Sequence, residues 1–124
     1  MREIKFRAYN PRDKKMHYDI TGFEFFGDGN MSGVFIDGVF FLIEEVELMQ
    51  YTELHDKNER EIYEGDIISD LDYGIMICKF INGSFVWQSI KNELYIKFFT
   101  YIPIVEVIGN IYDNPDLLEK GAEE

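Results

Sequence analysis

Two dipeptides, Asp37-Gly38 and Asn82-Gly83, constrain the fold of this chain more than any other feature of its sequence. Each lies between two runs rich in β-branched and aromatic residues, 34–36 and 39–43 in the first case. Such a dipeptide accommodates two positive φ angles and favours a two-residue type I′ hairpin, whose twist matches that of the flanking strands. The sequence therefore predicts a β-hairpin in each half of the chain.

Turn-forming residues divide most of the remaining chain into short segments of strand type. The first segment alternates, with Ile4, Phe6 and Ala8 expected on a buried face and Lys5, Arg7 and Tyr9 on the opposite, solvated face. Further strands are expected at residues 16–20, 22–26, 66–69, 73–81, 84–88 and 105–112. Turns are expected at 10–13 and 27–30, and Gly109 is expected to mark a bulge or a close approach of the backbone.

Two segments could contain helix. Asn114 as N-cap, Pro115 at the first helical position and Asp116 after it predict a short C-terminal helix. Residues 90–102 are ambiguous, because 94–99 fits a strand by its aromatic content and a short helix by its spacing. The residues favour a strand over 95–101.

These expectations combine into one mainly-β domain over residues 1–124, a small rolled sheet or partly open β-barrel with a short C-terminal helix. Closure or rolling would protect the edges of strands rich in Val, Ile and Phe. An α+β fold with a short helix within 90–102 is the alternative. A length of 124 residues suits one domain, and no linker, repeat or low-complexity segment divides the chain.

Charge is distributed unevenly. The chain carries a net charge of −12, which argues against direct nucleic-acid binding, because phosphate binding depends on Lys and Arg. Residues 1–15 nevertheless hold six basic residues against two acids, whereas residues 16–124 have a net charge of −16. We expect the basic segment to support self-association against an acidic surface of a second copy. Its basic residues at 5–15 are Lys5, Arg7, Arg12, Lys14 and Lys15.

The compartment follows from three negative indications. A single cysteine, Cys78, excludes an intrachain disulfide. The N-terminal residues lack the apolar region of a signal peptide, and no apolar run approaches the roughly 20 residues that span a bilayer. We expect a cytoplasmic protein that has no membrane partner.

Three motifs resemble those of the YopX family, small proteins of bacteriophages and prophages. The first is Met1-Arg2-Glu3-Ile4-Lys5-Phe6-Arg7-Ala8-Tyr9. The central motif comprises Met49-Gln50-Tyr51-Thr52, Asp56-Lys57-Asn58 and Glu61-Ile62-Tyr63-Glu64-Gly65-Asp66-Ile67. The closing motif runs from Glu106 to Leu118. The resemblance covers the whole chain, favours some helix within 90–102, and implies a phage-derived accessory protein of the bacterial cell without an assigned biochemical role.

Residue 9 is Tyr where the family has Trp, and Glu53 and Glu59 stand where the family usually has Gly. The change at Glu59 matters most, because a positive φ there would carry a steric cost for Glu that Gly does not have. A turn is expected at 56–59, since Asp and Asn side chains bond their own backbone, and a second turn is expected at 64–66.

The residues that could form a catalytic or metal site also have ordinary structural explanations. His17, His55 and Cys78 lack the spacing of a metal site, so neither a metal nor a cofactor is expected. Paired carboxylates among Asp56, Glu61, Glu64 and Asp66 could support hydrolase chemistry if two of them met with raised pKa values. Acids in turns more often serve the turn, and we expect no enzyme.

The remaining hypothesis concerns recognition. Tyr51, Tyr63, Tyr73 and Trp87 could line a groove or pack in the core. The candidate binding residues are Tyr51, Asp56, Lys57, Tyr63, Glu64 and Asp66. The expected function is a non-catalytic binding or self-assembly module that forms a homo-oligomer. A DNA mimic or inhibitor that captures a host protein is the alternative.

Overall fold

The computed structural model of the protein describes residues 3–91, 94–97 and 105–123. Strands account for most of these residues, and one α-helix, α1 (Asp116–Glu123), follows them. The strands are β1 (Phe6–Asn10), β2 (Lys15–His17), β3 (Ile20–Phe25), β4 (Met31–Ile36), β5 (Val39–Leu42), β6 (Glu47–His55), β7 (Glu61–Tyr63), β8 (Asp66–Asp70), β9 (Gly74–Ile81), β10 (Ser84–Ser89), β11 (Tyr95–Lys97) and β12 (Val105–Asn110). A 3₁₀ turn, Ile43–Glu45, links β5 to β6.

The chain divides into two compact units, Met1–Gln50 and Tyr51–Glu124, called here the N-terminal and C-terminal units. Strand β6 belongs to both: its first half pairs with β1 and its second half pairs with β7. The order of the described strands in this sheet is β2-β1-β6-β7. The expectation that residues 1–124 act as a single domain stays a prediction.

The N-terminal unit also contains a three-stranded antiparallel sheet in the order β3-β4-β5. Its β4–β5 hairpin turns at Asp37 and Gly38, whose φ angles of 48° and 79° are both positive, as a type I′ turn requires. The buried core of this unit is apolar and consists of Ala8, Val34, Ile36 and Val46. The predicted Asp-Gly hairpin is therefore confirmed, with Ile36 opposite Val39.

The C-terminal unit contains a five-stranded sheet in the order β11-β10-β9-β8-β12. Asn82 and Gly83 form the second predicted turn, with φ angles of 51° and 82°. Gly109 lies at a register shift of β12, which confirms the expected bulge. The core is formed by Ile62, Ile68, Met76, Cys78, Trp87, Val105 and Val107.

The prediction of a mainly-β fold with a short C-terminal helix is confirmed. Residues 95–97 form strand β11, as the aromatic pattern favours. The remainder of that prediction, and most of the segment in which a helix was the alternative, lies outside the described residues. Asn114 precedes the helix as expected, but its side-chain oxygen accepts a hydrogen bond from the backbone N–H of Asn110, at 3.2 Å.

The first strand differs from its predicted pattern. Ile4 lies before β1 and is 64% exposed, whereas Arg7 is only 2% exposed. The Arg7 guanidinium donates a hydrogen bond to the Tyr18 hydroxyl, at 3.3 Å, and lies 5.9 Å from the centre of the Tyr18 ring. An aromatic, hydroxylated neighbour makes burial of this cation tolerable, and a period-two pattern could not reveal that neighbour.

Candidate functional site

The turn after β6 is organised by the carboxylate of Asp56. One oxygen accepts hydrogen bonds from the backbone N–H groups of Asn58 and Arg60, at 2.8 and 2.9 Å. The other accepts from the N–H of Val107 in β12, at 2.9 Å. Asp56 is 5% exposed, so these bonds are formed largely out of water. The predicted turn is confirmed, and its first residue also binds a strand that is distant in sequence.

The electrostatics of Asp56 follow from these donors. Burial alone would raise the pKa of the carboxyl group, but the N–H groups of Val107, Arg60 and Asn58 and the charge of Arg60 lower that pKa below its ordinary value. Asp56 is thereby held as an anion. A carboxylate in this state lacks the raised pKa that the hydrolase hypothesis requires.

The same turn covers the outer edge of β12, which pairs with β8 on its other side. The backbone N–H of Lys57 donates to the carbonyl of Val105, at 3.0 Å. The Arg60 guanidinium donates to the carbonyl of Val107, at 3.1 Å. Together with the bond to Asp56, these contacts use backbone groups that an edge strand would otherwise present to solvent.

An exposed layer of polar contacts lies over this edge. The Lys57 ammonium is 3.3 Å from the carboxylate of Glu106, and the Asn58 amide donates to the same oxygen at 3.4 Å. Both side chains of the ion pair are about half exposed. Such pairs contribute less than about 1 kcal/mol, so the buried bonds of Asp56 carry most of the energy of this contact.

The second predicted turn is anchored on both sides. The N–H of Gly65, whose φ is 89°, donates to the carbonyl of Cys78 at 2.8 Å. The carbonyl of Gly65 accepts from the N–H of Ile111 at 3.0 Å. Asp66 is buried, and its carboxylate accepts from the N–H of Tyr63 at 2.8 Å. Residue 65 thus connects β9 to the chain that follows β12.

That following chain is folded around Asn110. Its side-chain oxygen accepts hydrogen bonds from the N–H groups of Tyr112 and Asp113, at 3.0 and 2.9 Å. Its amide nitrogen donates to the carboxylate of Asp113, at 3.0 Å. A Cβ atom at Gly109 would overlap the side chain of Asn114, so this packing favours glycine there.

Comparison with known proteins identifies this arrangement. The chain matches the family model described as "YopX protein" over residues 5–119, which is most of its length. The chain belongs to the YopX family. The predicted family resemblance is thereby confirmed.

Two solved structures resemble this YopX-family chain. Protein EF1440 from Enterococcus faecalis has a TM-score of 0.71 and 26% identity, over 95% of this chain and 99% of the other. Protein yopX from Bacillus subtilis has a TM-score of 0.57 and 21% identity, over 91% and 96% of the two chains. No curated protein matches. These names carry no biochemical role.

The two glutamates at which the family resemblance leads us to expect Gly both have positive φ. Glu53 has a φ of 73° and Glu59 a φ of 65°. The left-handed region costs an L-residue with a Cβ atom more than it costs glycine. Both glutamates therefore lie where glycine is sterically favoured, and the turn at 56–59 forms nevertheless.

Of the four aromatic candidates, three lie in the core. Tyr51, Tyr63 and Trp87 are at most 4% exposed, and the rings of Tyr51 and Tyr63 are 5.5 Å apart. The Tyr51 hydroxyl lies 3.4 Å from the ring nitrogen Nε2 of His55. Tyr73 is 37% exposed. The core interpretation is thus confirmed for Tyr51, Tyr63 and Trp87, and they do not form a surface groove.

The remaining candidates are placed separately. Glu61 and Glu64 are half-buried. Cys78 is buried, as expected of a structural cysteine. His17 lies 2.8 Å from the carboxylate of Asp13, in the N-terminal hairpin. Within residues 3–91, 94–97 and 105–123, no group of three or more His, Cys, Asp or Glu side chains could hold a metal ion.

The basic residues of the N-terminal segment differ in exposure. Lys5 is half-buried and pairs with Glu3, at 2.9 Å, whereas Arg7 is buried as described. The exposed cations lie at the end of the β1–β2 hairpin and are Arg12, Lys14 and Lys15, called here the basic tip. In the described part of the chain no helix is both long and apolar enough to cross a membrane.

The exposed apolar side chains of β5 were not predicted from the sequence. Strand β5 is an edge strand of the three-stranded sheet, and Val39, Phe40 and Leu42 are exposed by 58%, 38% and 49%. A continuous apolar run is ordinarily typical of a buried strand. The absence of polar alternation in 39–43 was the available signal, but it does not distinguish a buried strand from an exposed edge.

Proposed function

We propose that this protein is a non-catalytic accessory module of phage or prophage origin that self-associates through its basic tip. The observation that carries the proposal is the exposure of Arg12, Lys14 and Lys15 on a chain whose residues 16–124 have a net charge of −16. Opposite charges on one polypeptide favour contact between copies, and the attraction acts over roughly one Debye length, about 8 Å at physiological salt.

The basic tip is available for such a contact. The nearby acid, Asp13, is occupied locally: its carboxylate accepts from the backbone N–H of Lys15 at 3.0 Å and pairs with His17. In the described residues, no carboxylate lies within ion-pair distance of the side chains of Arg12, Lys14 or Lys15. Lys15 interacts electrostatically with the carboxylate of Asp13, whereas the charges of Arg12 and Lys14 are not paired within the part of the chain that the structure describes.

The non-catalytic part of the proposal is supported by the use of the signature residues. Asp56 accepts three backbone hydrogen bonds, and Asp66 accepts one. Lys57 contributes its backbone to the cover of β12 and its side chain to an ion pair with Glu106. These contacts give the most distinctive polar residues of the central motif a role in maintaining the fold.

Light scattering coupled to size exclusion, at low and at high salt, tests the proposal. We expect a discrete oligomer that dissociates as salt increases, because exposed charges are screened. The variant Lys14→Glu/Lys15→Glu should be monomeric at both salts. Its control, Lys91→Glu/Lys120→Glu, makes the same change of charge at two exposed lysines elsewhere and should remain oligomeric.

A wild-type monomer at both salts would overturn the proposal. Equal loss of assembly in both double variants would also overturn it, because the effect would then follow net charge and not the basic tip. Capture of a basic host protein by the acidic surface would be the next hypothesis to test in either case.

A further inference from the structure

The edges of the sheets are protected unequally. Strand β12 is covered by the 56–60 turn, as described above. Strand β3 is interrupted by two register shifts, between Ile20 and Gly22 and between Glu24 and Phe25, and such bulges discourage pairing with another chain. Strand β5 pairs with β4 in continuous register from Val39 to Leu42. It contains neither Lys nor Pro, which commonly protect an edge.

The hairpin geometry determines which backbone groups of β5 face outward. Ile36 and Val39 close a two-residue turn and form a hydrogen-bonded pair, so the groups of Val39 and Phe41 point towards β4. Those of Phe40 and Leu42 then point away from the sheet. The N–H of Leu42 donates to the carboxylate of Glu45 at 3.0 Å. Leu42 is also the N-cap of the 3₁₀ turn Ile43–Glu45, so its carbonyl accepts the first hydrogen bond of that turn. Within the described residues, the N–H and carbonyl of Phe40 remain for another strand.

The surroundings of this edge are acidic. Asp37 lies at one end of β5, and Glu44 and Glu45 lie at the other, and all three are exposed. A two-fold pairing of β5 with itself would bring Asp37 of each copy close to the glutamates of the other. Like charges placed opposite each other are unfavourable, so the charge pattern favours a basic strand as the occupant.

The basic strand that this chain itself supplies is β2. It is an edge strand of its own sheet, it starts at Lys15, and the basic tip precedes it. We propose that β5 of one copy accepts β2 of a second copy as an added strand, with the basic tip facing the acids that flank β5. This inference rests on the proposed self-association and names the surface that receives the tip. Because the two surfaces differ, the contact is heterologous, and repeating it generates a ring or a filament.

Two kinds of variant test this assignment in the full chain. Phe40→Pro removes an outward N–H while leaving the β4–β5 ladder its donors. Glu44→Lys reverses a charge beside the edge and leaves Glu45, whose carboxylate accepts from the N–H of Leu42, unchanged. Each should weaken association at least about tenfold, measured by light scattering over a dilution series. Unchanged circular dichroism and unfolding midpoint would show that each variant is folded.

Charge exchange provides the sharper test. Lys15→Glu/Glu44→Lys should regain at least about tenfold in association over Glu44→Lys alone, because opposite charges again face each other. Its control, Lys15→Glu/Glu119→Lys, restores the net charge at an exposed helix position. This control should associate no more strongly than Lys15→Glu alone.

The outcomes separate the two proposals. A wild-type oligomer that dissociates with salt, together with unaffected association of folded Phe40→Pro and Glu44→Lys, would overturn the assignment of β5 and leave self-association standing. A lack of rescue by the exchanged pair, with a folded protein, would overturn it as well. A wild-type monomer at both salts would overturn both.

Discussion

Strands β12 and β5 both lie at the edge of a sheet, but the outer edge of β12 is covered and that of β5 is exposed. The outer edge of β12 is occupied by Asp56 and Lys57, from the central motif by which the chain resembles the YopX family, and by the neighbouring Arg60. The edge of β5 carries exposed apolar side chains and no comparable cover among the described residues. The comparison indicates that the family signature maintains the fold. Surfaces that bind partners are then to be sought among residues outside these motifs.

The largest test of the comparison removes the cover of β12. Asp56→Ala leaves three N–H groups without their acceptor in a largely buried site, and we expect a loss of about 3–5 kcal/mol in the free energy of unfolding. Urea denaturation measures it. The control, Asp28→Ala, removes an exposed carboxylate that accepts from the N–H of Asn30 at 2.9 Å and should cost less than about 1 kcal/mol. Similar losses in both variants would contradict the structural role of Asp56.

Acid provides a second, smaller test of the same carboxylate. Its pKa is lowered on folding, so its stabilising contribution is complete above the unfolded pKa of about 3.9 and is lost as pH falls through the folded value. The stability difference between wild type and Asp56→Asn should therefore be constant near neutral pH and shrink below about pH 4. Urea midpoints across this range measure the difference. A difference that grew on acidification would contradict the sign of the shift.

The smallest expected effect concerns the backbone conformation of Glu59, in the 56–60 turn that covers β12. Glu59→Gly should raise the free energy of unfolding by up to about 1 kcal/mol, since it relieves a positive φ of 65°. Glu47→Gly is the matched control in strand β6, outside the positive-φ residues. It should lower stability by about 0.5–1 kcal/mol. Thermal unfolding of the two variants compares them, and a loss of stability in Glu59→Gly would show that the strain is compensated.

Local chemistry predicted the local features well. Asp37-Gly38 and Asn82-Gly83 predict their turns because few other dipeptides accept two positive φ angles. Gly109 was recognisable as a bulge for a similar reason. Each of these features depends on residues that are adjacent in sequence, so the sequence contains the information needed to predict it.

Features that depend on distant neighbours were not predictable in the same way. The burial of Arg7 depends on Tyr18 across the hairpin, and the covering of β12 depends on Asp56 and Val107 meeting. The candidate site residues stand out in the sequence, but their partners in the structure decide what they do. A signature identified from the sequence could therefore locate the turn at 56–59 without revealing which strand it covers.

The hydrogen bond between Val107 and Asp56 joins residues 51 positions apart, and this has a consequence for synthesis. The C-terminal unit cannot complete its sheet until β12, the last of the described strands, has left the ribosome. Contacts of such sequence separation form slowly, and apolar strands exposed during the delay are prone to aggregate. Truncation before residue 105 would make that delay permanent, leaving β8 without one of its two antiparallel partners and Asp56 without one of its three donors.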